Sequence, residues 1–243
     1  MDGKNAYWQM AIDEALLILR SEGKVLDTLR LYVFKPSAVT IGYFQRIRES
    51  VNLEFLESAK IDYTRRITGG GAVYHDAAGE VTYSVVLPAS GPLVDIGESY
   101  RVICSGLVRA LRRMGVNAEF VPVNDVVIGG RKVSGSAQTR RRGYLLQHGT
   151  LMYATNVEVL ERALVVPSAK LQSKGVKSIR DRVVTLKDIL GEVDVDSLVK
   201  NLAWGFAEAL GREVLFGELG EEELRLAEKL VEKYRSRDWV FKR

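Results

Sequence analysis

Apolar residues recur along the chain with two alternating periods. Trp8, Ile12, Ala15, Leu16 and Leu19 are spaced three or four apart, which predicts an N-terminal helix with one buried face. The period then drops to two. Leu29, Leu31 and Val33 alternate with polar or aromatic residues, and Val39 to Phe44 forms a second β-rich run beyond the Pro36-Ser37 turn signal. Val51 to Ala59 reads as a short helix, Asp62 to Arg66 as a strand and Val81 to Leu87 as another, with Gly69-Gly70-Gly71 breaking the pattern between those two strands. Ile103, Cys104, Leu107, Leu111 and Met114 make the apolar stripe of a helix from Ile96 to Gly115, where the glycine is a C-terminal stop. From Glu119 to Tyr153 the period is again two: a run ending at Ile128, a Gly129-Gly130 turn, a strand from Val133, a turn near Gly143, and a strand from Tyr144. This predicts an antiparallel meander. Asn156 to Leu164 is helical. Pro167 to Arg182 carries Lys170, Lys174, Lys177, Arg180 and Arg182 without periodicity, which predicts a mobile basic loop. Val195, Leu198, Leu202 and Phe206 mark one closing helix; Leu224, Ala227, Leu230, Val231 and Tyr234 mark the other.

Antiparallel strand runs mixed with helices, without strict strand-helix alternation, predict an α+β fold: a mixed, mostly antiparallel sheet with flanking helices in a single domain spanning residues 1–243. Neither an internal repeat nor a low-complexity linker divides it. At 243 residues, 47% hydrophobic and 27% charged, the chain is long enough to bury a sizeable core. The single cysteine excludes a disulfide scaffold and a Cys-based zinc site and fits a reducing compartment. The ALLIL run near the N-terminus is preceded by Asp13 and Glu14, which interrupt any signal-peptide core, and no window approaches the ~18 apolar residues of a membrane span. The expectation is a soluble, cytoplasmic protein that neither enters a membrane nor binds nucleic acid. The net charge of +4 does not settle the last point, because it suits a nucleotide, a carboxylate substrate or an acidic protein surface equally well.

Two segments concentrate chemistry. The first is Arg65-Arg66-Ile67-Thr68-Gly69-Gly70-Gly71-Ala72-Val73-Tyr74-His75-Asp76. Three consecutive glycines between strands point to a backbone that approaches a ligand closely, and the flanking arginines and His-Asp pair favour a site over a flexible hairpin. It is not a phosphate-binding P-loop, since no Gly-Lys-Ser/Thr follows. The second is Asn124-Asp125-Val126-Val127-Ile128-Gly129-Gly130-Arg131-Lys132-Val133-Ser134-Gly135-Ser136-Ala137-Gln138. Strict strand alternation from Arg131 places Lys132, Ser134 and Ser136 on one face, opposite Val133 and Gly135, with small Gly135 and Ala137 leaving room above the sheet. The bland alternative is a solvated edge strand with a lysine guarding it. His148, in Gln147-His148-Gly149-Thr150, reads on its own as a structural histidine.

Taken together, RRITGGGAVYHD, NDVVIGGRKVSGSAQ, QHGT, SKGVKSIRDRV and the terminal SRDWVFKR resemble, in order, the lipoate-protein ligase and octanoyltransferase family, which is related in fold to biotin protein ligases. The GRGRxGR-type loop of the biotin branch is absent. The resemblance covers roughly residues 8–240 and implies a two-step ligase. Lipoate and ATP with Mg²⁺ would give lipoyl-AMP, and the acyl group would pass to a lysine of a lipoyl domain of a 2-oxoacid dehydrogenase complex or of the glycine-cleavage H protein. It further implies that Lys132 and Asp125 are catalytic. Arg66, Gly70, Gly71, His75, Lys132, Ser134 and His148 would line the lipoate, and Gly71, Tyr74, Asn124, Asp125, Lys132, Lys174 and Arg180 the adenylate. Asp125 would hold Mg²⁺ or orient Lys132. The chemistry is consistent with such roles: Lys132 would lower the repulsion between a carboxylate and an α-phosphate, and then stabilise charge on the acyl oxygen.

The rival is an acyltransferase working from an acyl-protein donor through a cysteine thioester. That needs an accessible thiolate, and Cys104 sits mid-helix on the apolar stripe; the positions where the transferase branches place their nucleophile, before Asn124 and after Thr150, hold no cysteine. A second alternative is a non-catalytic carrier- or nucleic-acid-binding module using Arg140-Arg141-Arg142, although these lie at a predicted hairpin tip without interleaved aromatics. Many ligases of the family continue into an accessory C-terminal domain. Here the expectation is that a separate small subunit supplies it.

Overall fold

The computed structural model describes residues 2–165 and 178–243. Its centre is a seven-stranded sheet with strand order β1-β2-β6-β10-β9-β8-β7, formed by β1 (Asp2–Lys4), β2 (Thr28–Phe34), β6 (Glu80–Pro88), β7 (Ala118–Val121), β8 (Asp125–Ile128), β9 (Arg131–Arg141) and β10 (Tyr144–Met152). Only β1 and β2 pair in parallel, so the sheet is mixed and mostly antiparallel as the sequence predicts. Strands β7 to β10 are consecutive neighbours, which is the predicted meander. A smaller sheet, β4-β3-β5, is built from β3 (Ala38–Ile41), β4 (Asp62–Arg65) and β5 (Val73–His75). The last of these follows the triple glycine and has no run long enough to show in the sequence pattern.

The helices are α1 (Ala6–Ser21), α2 (Ile47–Ser50), α3 (Leu53–Ser58), α4 (Ile96–Arg113), α5 (Val157–Ala163), α6 (Ile179–Arg182), α7 (Leu186–Leu190), α8 (Val195–Leu210), α9 (Glu221–Arg235) and α10 (Arg237–Val240). Asn5 accepts from the amide of Trp8 at the start of α1, and Asp95 from that of Glu98 at the start of α4. Both therefore begin at a side-chain cap that satisfies an otherwise orphaned N–H. Of the predicted basic loop, residues 167–177, including Lys170, Lys174 and Lys177, lie outside the described residues; its end forms α6, closed by a reciprocal cap between Ser178 and Asp181.

The large sheet has two different faces. One carries Tyr83, Val85, Leu145, Leu151 and Val133 and packs against α4 and α8 to give an apolar core that includes Cys104, Leu107 and Phe206. The other faces α1 and α9, and α1 contributes Met10, Ile12 and Leu16 to a second core. The small sheet forms a third with Ile47, Leu56 and Leu160. The second face also takes in charge: Asp13, buried on α1 together with Gln9 and Glu14, is 1% exposed. No helix among the described residues is long and apolar enough to cross a membrane.

Candidate active site

The triple glycine folds back over the second face of the large sheet. Arg66, just after β4, is buried, and all five of its N–H donors are taken by the protein: Nε by Thr68 Oγ1 (3.0 Å), Nη1 by Thr40 O and Oγ1 (3.1 and 3.4 Å), and Nη2 by the carbonyls of Gly69 and Gly71 (2.6 and 2.8 Å). Burial without a carboxylate in contact pushes its pKa down to about 10. Gly70 takes φ +90°, and a Cβ there would stand 2.9 Å from Arg66 Nη2. Across from it, a Cβ on Gly42 would overlap the Gly70 carbonyl, so the two segments touch through bare backbone. The neighbouring Arg65 points away. It bonds the carbonyls of Gly42, Tyr43, Gln45, Trp239 and Val240, which ties the DWVF segment to the turn after β3.

The second segment departs from strict alternation. A register shift against β8 opposes Lys132 to Val127 but Ser134 to Val126, leaving Val133 as an extra residue in β9. Lys132 therefore shares a face with Gly135, not with the serines: a Cβ on Gly135 would stand 2.5 Å from its Cε. Ser134 pairs with Leu151 of the first core, and Ser136 Oγ bonds Tyr83 OH at 2.7 Å, so both serines lie under α4. The expected grouping of Lys132, Ser134 and Ser136 is thus corrected by a bulge that depends on the partner strand. With it Ser134 leaves the lipoate-facing set; its buried hydroxyl has no hydrogen-bond partner among the described residues. What the bulge creates is a groove floor of Gly135 and Ala137, two residues or about 7 Å apart along the strand. The Lys132 amine lies over one end and Gly70 stands near the Ala137 methyl at the other.

At the groove, Lys132 Nζ is 2.6 Å from Asp125 Oδ1, and Arg182 Nη2 is 3.3 Å from Oδ2. The chain arriving from the basic segment runs alongside: Val183 bridges Lys132 in parallel, and the Val184 amide donates to the Lys132 carbonyl at 2.9 Å. The Asn124 side-chain amide donates to the Ser136 carbonyl and its main-chain carbonyl in turn takes the Ser136 amide (3.0 Å), so Asn124 pins the turn before β8 to β9. Arg180 is exposed and paired with Glu158 at 3.2 Å. Tyr74 is buried in the third core, its burial raising the phenol pKa, and so is not placed at the groove. Arg140 bonds the carbonyls of Val94 and Asp95 beside the start of α4, leaving Arg141 and Arg142 at the β9–β10 turn.

Asp125 is expected to hold Mg²⁺ or to orient Lys132, and both its oxygens face cations, Oδ1 the Lys132 amine and Oδ2 the Arg182 guanidinium. The arrangement fits the orienting role.

His75 and His148 are both buried beneath the glycine loop. His148 Nδ1 lies 2.9 Å from Asp13 Oδ2 and Nε2 2.7 Å from Thr68 Oγ1; burial lowers its pKa despite the adjacent carboxylate. Burial also opposes ionisation of Asp13, but the hydrogen bond with His148, the Arg30 guanidinium (2.5 Å) and Ser84 outweigh it and hold the carboxyl below its usual range. His75 stacks on Phe34 with ring centroids 3.8 Å apart. Asp13, Glu80, Thr40 and Thr68 were not singled out from the sequence. The available signal was Asp13 itself, an acid on the buried face of an apolar helix.

Cys104 is fully buried, 3.5 Å from Ser136 Oγ and from Gln147 Nε2, and burial raises its pKa. Two surface clefts, of about 330 and 690 Å³, lie around α3, α2 and α10 and include neither Lys132 nor the glycine loop.

The two sequence segments thus meet as a lysine clasped by an aspartate over a glycine floor, facing a glycine loop. The chain belongs to the family described as the lipoyl protein ligase A/B catalytic domain, whose model matches residues 5–207. Octanoyltransferase LipM of Kyrpidia tusciae is 39% identical over 264 aligned positions, covering 98% of this chain and 96% of its own. Among solved structures, the bi-partite lipoate protein ligase of Thermoplasma acidophilum superposes with a TM-score of 0.85 at 31% identity, covering 98% of this chain and 95% of its own. A lipoate-protein ligase A bound with ATP gives the same score and identity over 99% of both chains.

Proposed function

We propose that this chain attaches an octanoyl- or lipoyl-type acyl group to the ε-amine of a lysine on a lipoyl domain or glycine-cleavage H protein, after activating the free acid as an acyl-adenylate with ATP. The observation that carries the reading is the Lys132 amine, held by Asp125 over the Gly135–Ala137 floor and next to the glycine loop. A fixed cation there offsets the repulsion between the acid and the α-phosphate, and later the charge that grows on the acyl oxygen. Arg182 and the strand bridge at Val183 bring the end of the basic segment to the same place, where its cations would face phosphate. The acceptor lysine must arrive neutral, a state that only ~1 in 2,500 free lysines holds at pH 7; Asp125, the carboxylate beside Lys132, is the candidate to receive its proton. A separate accessory subunit, for which the bi-partite relative is the precedent, completes the proposal.

A second reading has its own support. The curated relatives named octanoyltransferase favour transfer from an acyl-protein donor more directly than they favour adenylation. Against it stands the thiol: a thioester on Cys104 needs a nucleophile that here is buried within the first core. The aligned length also exceeds the 243 residues of this chain by 21 positions, so the Kyrpidia relative has at least that many residues with no counterpart here. The experiment incubates the protein with a lipoyl domain and either ATP plus octanoate or lipoate, or octanoyl carrier protein without ATP, each with and without the candidate accessory subunit. Pyrophosphate release with carrier acylation in the first arm supports adenylation. Acylation only in the second arm replaces it with the transferase reading.

A further inference from the structure

The only two histidines of the chain stand in the same relation to one guanidinium. His148 links Asp13 on its Nδ1 side to Thr68 on its Nε2 side, and the Thr68 hydroxyl accepts from Arg66 Nε. His75 repeats the pattern: Nδ1 is 2.7 Å from Glu80 Oε1, Nε2 is 2.9 Å from Thr40 Oγ1, and that hydroxyl lies 3.4 Å from Arg66 Nη1. An ionised carboxylate can only accept, so each imidazole presents N–H to its carboxylate and the Nε2 lone pair to its threonine. Each threonine then donates to nitrogen and turns its own lone pairs to the guanidinium. Donation runs the same way along both chains, from arginine to carboxylate, the arrangement in which successive bonds reinforce one another.

Arg66 has no N–H left for a substrate anion, and His75 has one face closed by Phe34. We infer that His75 and His148 are positioning residues: through Thr40 and Thr68 they clamp Arg66, and Arg66 fixes the glycine loop by its carbonyls, so that neither ring touches the acyl chain. The carboxylates one imidazole away supply the opposing charge that a buried guanidinium bonded only to neutral oxygens lacks. The inference rests on the proposed function only for what the loop is shaped to hold. The clamp itself needs no substrate to be observed.

The test uses the whole chain with ¹⁵N-labelled imidazoles, which give just two spin systems. Both rings are expected neutral with the proton on Nδ1, opposite to the Nε2–H form that a free imidazole prefers. Thr68→Val and Thr40→Val each delete one hydroxyl at nearly constant volume, and amide exchange across residues 67–72 is expected to quicken about 10-fold or more, with Thr68→Ser returning it to within about twofold of the parent. Protons on Nε2 in both rings, or unchanged exchange in both folded valine variants, overturn the clamp. Acyl transfer enters neither readout, so an inactive protein would count against the proposed function and leave the clamp standing or falling on its own.

Discussion

Replacing Gly135 with alanine separates a damaged site from a damaged fold. The new Cβ would stand 2.5 Å from Lys132 Cε and nearer still to Nζ, so the end of the lysine must retreat by about 0.9 Å or more to reach ordinary contact at 3.4 Å. Because the obstructed group is the tip of a flexible side chain, the backbone need not move. Alanine's lower strand-forming entropy cost favours the variant by about 0.5–1 kcal/mol, and loosening a partly exposed ion pair costs at most about 1 kcal/mol, so Tm should stay within about 3 °C of the parent. Catalysis is far more sensitive to position: a 1 Å misplacement of a charge-stabilising group is worth about 100-fold in kcat, or about 2.7 kcal/mol of transition-state stabilisation. Single-turnover acylation of a lipoyl domain alongside thermal melts would measure both. Gly149→Ala is the control. Its Cβ would sit 2.7 Å from Tyr83 Cε1 and 2.8 Å from the Gly135 carbonyl, where backbone has to shift, and it should cost about 1–3 kcal/mol of stability. Parent-like acylation by folded Gly135→Ala would refute the placement of Lys132 as the positioned charge.

Lys132→Ala should lower acyl transfer by about 10³-fold with a near-parent melt, since the side chain is only partly buried and its loss leaves no cavity; a fall of less than tenfold removes it from the chemistry. Cys104→Ala should keep transfer within about threefold while lowering stability by about 1 kcal/mol, and complete loss of transfer in the folded variant would instead support a thioester. Stability should weaken on acidification in two stages. The folded pKa of His148 lies below 6.5 and that of Asp13 below 3.8, so in each window the unfolded chain binds more protons. The His148 contribution is full above about pH 6.5 and lost as the pH falls through its folded value; the Asp13 contribution is full above about 3.8 and lost below it. Melts between about pH 7.5 and 3 would check this, and a flat profile down to about pH 4 would discount His148.

Most elements were legible because their periodicity is local. The stripe Ile103, Cys104, Leu107 and Leu111 is buried as the spacing required, and α4 stops two residues before Gly115, which adopts φ +77°. The strands from Thr28, Glu80 and Tyr144 lie where alternation placed them. Short pieces were not legible. β1, β5 and α10 are three or four residues long and exist because a neighbour completes their hydrogen bonds. Within the candidate site, the two segments were found through their glycines and charges, yet the roles of Arg66 and Asn124 within the protein could not be, because the acceptors that occupy them are carbonyls and threonine hydroxyls with no sequence signature.

The sequence by itself determined which residues are available for chemistry: one lysine in a glycine-rich strand, a triple glycine between arginine and histidine, and a single cysteine on an apolar stripe. Tertiary structure decided which of them meet. A single extra residue in β9, defined only against β8, moved Lys132 onto the face of Gly135 and sent Ser134 and Ser136 beneath α4. Asp13 and His148 lie 135 residues apart, and Thr68 and His148 lie 80 apart. Hydrogen bonds of that range carry no periodic trace along the chain, because they are set by which faces of sheet and helix the core brings together, and by the cost of leaving any buried polar group without a partner.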